Sequence, residues 1–519
     1  MSPAPPPPPP PVPRLIPLPT DIAAGPGAFL LDAHTTLRCA PGAESAGALL
    51  RTLLAPATGL PLAPSPDGEI VLALDPGLGR LGGEGYGLTI GPGELLLRAA
   101  RPAGLLRGIQ TIRQLLPPEA LSSSAQPRDR WPLPCVEITD LPRHSWRGAM
   151  LDVARHFQPI SFVRRYVDLL AFHKLNVLQL HLTDDQGWRM PVRAYPRLTE
   201  IGGHRAETVV GPAGSGTYDG TPHGGSYTRR ELTDLVAYAA RRGVEVVPEI
   251  EMPGHVRAAL AAYPELGNDP RARHAVWTDW GVCDCVLGVH DLALDFCRAV
   301  LEEVMEVFPS PYVHVGGDEC PTGEWAASPS ALRRVAQEGL AGPAALHGWF
   351  MGRIGAFLTG HGRRPMGWAE TGAELPPGFT VTTWRDPAHG LAAARRGHQV
   401  VMAHHRSTYL DYAQSADPAE PPAQPGEPVS LRTVHAYRPV PEPWEPEAAA
   451  RVIGTQCQLW TEYAPTPGHL EYLTFPRLCA LADRAWSDGP SGPDWTGFTE
   501  RMEAHQPRLD ALGVRYRPL

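Results

Sequence analysis

"YVHVGGDEC" (312–320) is an apolar β-run that meets two glycines and then two adjacent carboxylates, Asp318 and Glu319. Successive side chains of a strand point to opposite faces. Both acids therefore share one cavity only if the strand has ended and the backbone has turned. Gly316 and Gly317 permit such a turn. Whether this is a polar surface loop or a site depends on what surrounds it.

From residue 143 onward the same beat recurs: apolar strand, polar loop, amphipathic helix. Strands are expected at 147–155, 175–183, 243–251, 312–319, 364–370, 379–385, 399–405 and 452–460. Eight strands alternating with helices predict a closed parallel (β/α)8 barrel. Thr228-x-x-Glu231 is a capping box opening a helix that carries Leu232, Leu235 and Val236 on one face. Phe296, Val300, Val304 and Phe308 mark a similar stripe. The proline-rich stretch 413–447 reads as an excursion between strands seven and eight.

Before the barrel, residues 14–140 alternate short strand-like runs with two helical stretches, 43–59 and 103–117, which predicts a small supporting α+β domain. "GPG" at 91–93 marks a hairpin turn between two of its strands. Residues 1–13 form a proline-rich tail of polyproline-II character. The barrel domain is expected to span 143–519.

A net charge of −9 over 519 residues, with no dense basic run, argues against nucleic acid or an anionic membrane as partner. No run of about 18 apolar residues suggests a membrane span. The eight cysteines form no CxxC pair, and their low density points to a reducing compartment. Cys283 and Cys285 form CxC, which reads either as buried free thiols or as a metal or redox pair. The N-terminal stretch lacks a basic and an apolar signal region, so a cytoplasmic chain is expected.

Barrel enzymes carry their chemistry at the C-terminal ends of the strands. Here those ends bring Arg155 and His156; Asp184 and Asp185; Glu251 and His255; Asp318 and Glu319; Trp368 and Glu370; Trp384; Tyr409 and Asp411; and Trp460 and Glu462. Aromatic faces for pyranose rings, with carboxylates and an arginine for hydroxyls, compose a sugar pocket. A metal hydrolase using His156, Asp184, Asp185 and His255 is an alternative. No HxH or HExxH spacing supports it, and neither a metal nor a cofactor is expected.

These residues sit in blocks that resemble glycoside hydrolase family 20 β-N-acetylhexosaminidases over nearly the whole chain. "YVHVGGDEC" resembles the family's His-x-Gly-Gly-Asp-Glu signature, "MLDVARHFQP" its strand-one motif and "HLTDDQGWR" its strand-two motif. "PEIEMPGH", "MGWAE", "LWTEY" and "FPRLCALADRAWS" follow in the family's order, and "EGYGLTI" with "AGLLRGIQTIRQLLP" is similar to the domain that precedes its barrel.

The resemblance implies an exo-acting, retaining hydrolase of terminal β-linked N-acetylglucosamine or N-acetylgalactosamine, chitooligosaccharides among its substrates, in which the substrate's own acetamido oxygen is the nucleophile. It implies Glu319 as general acid/base, Asp318 as the residue that orients the acetamido group, and Tyr409 as donor to its oxygen. Trp368, Trp384 and Trp460 would wall the pocket. Arg155, Asp411 and Glu462 would bind hydroxyls, and Asp184 with His255 would form a dyad behind the acid. Adjacent acids should then differ, Asp318 ionised and Glu319 protonated. Glu251 departs from the family's usual Asp. Two readings compete: a protein nucleophile, Glu370 or Glu462, facing Glu319; or a catalytically impaired sugar-binding barrel.

Overall fold

The computed structural model describes residues 10–369, 375–441, 443–487 and 494–519. Its N-terminal part is a six-stranded sheet of β1 (Asp21–Leu31), β2 (Leu37–Cys39), β3 (Ile70–Leu74), β4 (Tyr86–Ile90), β5 (Leu95–Ala99) and β6 (Trp131–Asp140). Their order across the sheet is β1-β6-β4-β5-β3-β2. Two helices, α1 (Glu44–Thr58) and α2 (Pro102–Leu115), accompany it.

Helix α2 is buried on its polar side as well, because Arg107 and Gln114 reach out of it to carbonyls of Leu175, Gly243 and Phe172. Those carbonyls belong to the second part of the molecule. It is a closed barrel of eight parallel strands: β7 (Trp146–Asp152), β8 (Val177–His181), β9 (Glu245–Glu249), β10 (Tyr312–His314), β11 (Arg364–Ala369), β12 (Thr380–Thr383), β13 (Gln399–Met402) and β14 (Val452–Leu459).

All eight expected strands are present; the expected end of the fifth, at 370, lies outside the described residues, and the other seven end earlier than their apolar runs. There the chain leaves the ladder and enters the loops. Surrounding helices, including α3 (Ile160–Phe172), α4 (Arg229–Ala240) and α5 (Asp291–Val307), bury Val167, Leu170, Leu232, Val300 and Val304 against the barrel. Thr228 caps α4 in the expected box with Glu231. No helix of the described residues is long and apolar enough to cross a membrane.

The two parts are pinned by a buried charge. Lys174 Nζ donates to Asp140 Oδ2 at 2.7 Å and to the Tyr86 hydroxyl at 2.9 Å, while Trp486 Nε1 donates to Asp140 Oδ1 at 2.8 Å. Lys174 and Asp140 are almost wholly buried. Removing one member of such a pair strands the other without a counter-charge. Lys174→Met is therefore expected to destabilise the fold by about 3–5 kcal/mol, read as a lowered denaturant midpoint in circular dichroism. A loss below about 1 kcal/mol, the level of an exposed pair, would show that the pin carries little.

Candidate active site

The stretch 312–320 leaves the barrel at His314. Val315 N–H still reaches Met366 O at 2.9 Å, and the backbone then turns left-handed at Gly316 (φ 61°) and Gly317 (φ 93°). A Cβ on Gly316 would lie 1.7 Å from Glu251 Oε2, so only glycine fits beside that carboxyl. Glu319 (φ 45°) and His255 (φ 53°) hold the same left-handed backbone without being glycine. Such conformations cost roughly 1–3 kcal/mol each and persist where surrounding contacts fix them.

Glu319 lies at the mouth of a cavity of about 130 Å³ that opens at the strand ends. Its side chain is 27% exposed, with Oε2 3.7 Å from His255 Nε2 and Oε1 3.3 Å from Arg385 Nη2. Behind it, His255 Nδ1 stands 3.3 Å from both Asp184 Oδ1 and Asp185 Oδ2. Asp184 in turn meets Arg155 Nη2 at 2.9 Å and His181 Nε2 at 3.0 Å. Burial disfavours the charge on Asp184, but Arg155, His255 and His181 together hold its carboxyl well below the usual range. Burial likewise opposes the charge on His255, and Asp184 with Asp185 and Asp318 outweighs it, so the imidazole stays protonated.

Asp318 behaves otherwise. Burial first, with Glu319 and Glu249 adding to it, pushes its carboxyl up to about 7 against the pull of His255. In the free protein, then, the carboxyl expected to stay ionised is one that the site drives toward protonation. Its Oδ1 is buried without a hydrogen-bond partner, and the same holds for Glu251 Oε2, Trp384 Nε1 and Asp411 Oδ1. Burial and Glu462 raise Asp411 well above the carboxylate range, and burial with Asp411 keeps the Tyr409 hydroxyl protonated as a donor. Four unsatisfied polar atoms around one cavity suit a ligand rich in hydroxyl and amide groups.

Of the residues expected from sequence, Arg155, Asp184, His255, Asp318, Glu319, Trp384, Tyr409, Asp411, Trp460 and Glu462 line this cavity together. Trp384 and Tyr409 stack at 19° with 6.1 Å between rings, and Arg155 lies 4.9 Å over Trp460. Trp368 is not on the wall. Its indole is buried, donates to Glu249 Oε1 at 2.6 Å and backs Trp460 at 6.0 Å, because strand alternation turns it into the barrel. His156 is turned away to Thr461 O. Glu370 lies outside the described residues.

The sequence reading missed His181, Glu249, Arg385, Tyr412 and Gln424. The excursion 413–447 sends Gln424 to the wall, where its N–H donates to Asp411 O at 2.9 Å. Below the pocket, His181 Nδ1 stands 2.9 Å from Glu249 Oε2, Gln179 donates to Glu249, Gln456 to Gln179, and Trp146 to Gln456. This polar column fills the barrel above an apolar floor of Trp146, Val177, Val247, Met366 and Val401. Asp184, Asp185 and His255, or His255, Asp318 and Glu319, are close enough to share a metal ion. Of these acids Asp184 is already neutralised by Arg155, His181 and His255.

The catalytic-domain model of glycosyl hydrolase family 20 matches residues 144–489, and the model of that family's domain 2 matches 12–141. The chain is 35% identical over 512 residues to a β-hexosaminidase of Porphyromonas gingivalis, covering 97% of itself and 64% of that protein, so it spans under two thirds of that relative. It is 33% identical to a β-N-acetylhexosaminidase of Cellulomonas fimi, covering 97% and 95%. A mutant β-hexosaminidase of Streptomyces plicatus, solved with its product GlcNAc, superposes with a TM-score of 0.84 at 34% identity, over 98% and 96% of the two chains.

Proposed function

This chain belongs to glycosyl hydrolase family 20, and from that membership and the pocket's geometry we propose that it removes terminal, non-reducing β-linked N-acetylhexosamine with retention, the substrate's acetamido group acting as nucleophile. The observation that carries the reading is the unlike setting of two adjoining acids. Glu319 is half open at the mouth, within reach of a leaving oxygen, whereas Asp318 points a buried, unpaired oxygen into the cavity wall.

In this reading Glu319 protonates the departing oxygen and later takes the proton from the attacking water. Asp318 accepts the acetamido N–H, and as a carboxylate it offsets the positive charge on the forming oxazoline. Tyr409 donates to the acetamido oxygen and aims it at the anomeric carbon. Trp384 and Trp460 hold the ring, while Arg155, Asp411 and Glu462 take hydroxyls. No second carboxylate is then needed at the roughly 5–5.5 Å spacing of retaining enzymes that use a protein nucleophile. The barrel, 143–519, is the catalytic unit and 14–140 its support. The unpaired state of all eight cysteines suits a reducing, cytoplasmic setting.

Incubation with N,N′-diacetylchitobiose and with aryl N-acetylglucosaminide and N-acetylgalactosaminide tests this, followed by proton NMR of the first-formed anomer. Release of the β-anomer is expected. Cleavage confined to the interior of long polymers, or binding without hydrolysis, would refute the reading.

His255 is a positioning residue here. Its imidazolium places a positive charge 3.7 Å from Glu319 Oε2. With His255→Phe the kcat/KM–pH profile is expected to change shape and not merely height. A profile merely scaled down, with its shape kept, would reduce His255 to support of the loop.

A further inference from the structure

The Cys283-Asp284-Cys285 motif has no part in that mechanism. It lies on the segment that joins the His255 loop to α5. The two cysteines stand two residues apart, and the chain bends at Asp284 between them. Arg257 Nη1 stands 3.8 Å from Cys283 Sγ, and His274 Nδ1 stands 3.6 Å from Cys285 Sγ. Cys283 is buried and Cys285 is partly exposed.

The segment is tied to the pocket on both sides of the motif. Trp277 N–H donates to Asp185 O at 3.0 Å, and Leu287 N–H to Pro253 O at 2.9 Å. Glu324 Oε2 accepts from Val286 N–H at 3.1 Å. Arg257 touches both ends of this system: its side chain faces Cys283, while its backbone N–H donates to Asp185 Oδ1 at 2.9 Å. The other oxygen of Asp185 faces His255.

We propose that Cys283 and Cys285 are an oxidisable dithiol that closes to a disulfide within the loop and loosens the loop's hold on Asp185 and, through it, His255. A guanidinium beside a thiol favours the thiolate. The neighbouring Cys285 thiol first, and Arg257 with it, bring the Cys283 thiol down to about 7 against burial and the nearby Asp185 carboxylate. Cys285 remains the protonated partner, with Glu324 nearby opposing its ionisation. With hydrogen peroxide as oxidant, the Cys283 thiolate attacks one oxygen, giving a sulfenic acid and hydroxide. The Cys285 sulfur then attacks the sulfenyl sulfur; the S–S bond forms and the hydroxyl leaves as water with the Cys285 proton. Two thiols and one peroxide become one disulfide and two waters. Arg257 loses its anionic neighbour, and the backbone between the two tethers must tighten to bring the sulfurs to bonding distance.

The effect on catalysis rests on the hexosaminidase reading, whereas the linkage and the loop's motion do not. The full-length protein, fully reduced, is titrated with hydrogen peroxide, alkylated and digested. A Cys283–Cys285 linkage 2 Da below the dithiol, reversed by dithiothreitol, is expected. Amide hydrogen exchange across 274–290 should rise on oxidation, and kcat/KM for an aryl N-acetylglucosaminide should fall by roughly 3- to 30-fold. Cys283→Ser and Cys285→Ser, separately, should lose the linkage, the exchange change and the activity change. Cysteines 283 and 285 that stay alkylatable would overturn the proposal. So would a linkage that leaves exchange and activity unmoved, or serine variants that lose activity as the wild type does. A fully reduced protein inactive on every N-acetylhexosaminide would count against the enzymatic reading alone, with mass and exchange still deciding the switch.

Discussion

Glu319→Gln is expected to lower kcat/KM on N,N′-diacetylchitobiose by roughly 10²–10⁴-fold, the usual worth of a positioned general acid. The amide preserves shape and can accept the Arg385 contact but cannot deliver a proton to the leaving sugar. With an aryl glycoside whose phenolate leaves unaided, the formation of the oxazoline should suffer far less, while its hydrolysis still lacks a base. The contrast between the two substrates is the diagnostic. Equal losses on both would point to damaged binding, and near-normal turnover of the disaccharide would remove Glu319 from the role. Circular dichroism should show the variant folded, since Glu319 reaches the solvent and replaces no core contact.

The second large effect concerns Asp318. Asp318→Asn is expected to cost roughly 10²–10³ in kcat, the scale of losing one preorganised electrostatic partner of the transition state. A stable cyclic mimic of the oxazoline should bind the wild type much more tightly than N-acetylglucosamine does, because a site complements the species nearest its transition state. The variant should lose most of that preference. Progressive fluorination of the acetyl methyl group should slow the wild type steeply by draining electron density from the attacking oxygen. Indifference to fluorination, with a sugar ester trapped on Glu462, would transfer the nucleophile to the protein.

The same residue is expected to set one pH limb. In the proposed mechanism Asp318 works as a carboxylate, yet burial first, with Glu319 adding to it, raises its pKa in the free protein. Its active form is therefore depleted as pH falls, and the acidic limb of kcat/KM should lie above the ordinary aspartate range. Asp318→Asn should flatten that limb. An unchanged limb would assign it to another group.

The barrel was legible in the sequence because each parallel strand is an apolar run closed by polar loop chemistry, and because chain order alone fixes which residues follow each strand. That placed Arg155, Asp184, His255, Tyr409 and Glu462 at one rim. Depth was not legible. Trp368 belongs to the same strand-end set as Trp384, but a position one pleat inside the barrel turns it to Glu249 and away from the cavity. His181 and Glu249 were passed over as parts of apolar runs, although polar residues at alternate positions, Gln179 then His181, are the mark of side chains facing a barrel's interior. Gln424 carried no signal: its approach depends on the path of a long irregular excursion. Arg385 follows a recognised Trp, but nothing in spacing tells that its guanidinium crosses to Glu319.

The column of Trp146, Gln456, Gln179, Glu249 and His181 ties what the enzyme does to how long it lasts. His181, which meets Asp184 at the rim, is also part of the filling of the barrel, so no clean line separates residues kept for turnover from residues kept for folding. Exchanging the column for close-packed hydrocarbon of equal volume could raise the melting temperature, since buried ionic groups are seldom the most stabilising way to fill a core. The hardier protein would have lost the groove's electrostatic footing. Selection for thermal robustness alone would therefore drift toward inert barrels, and a directed-evolution screen on this scaffold has to score turnover and heat survival in the same round.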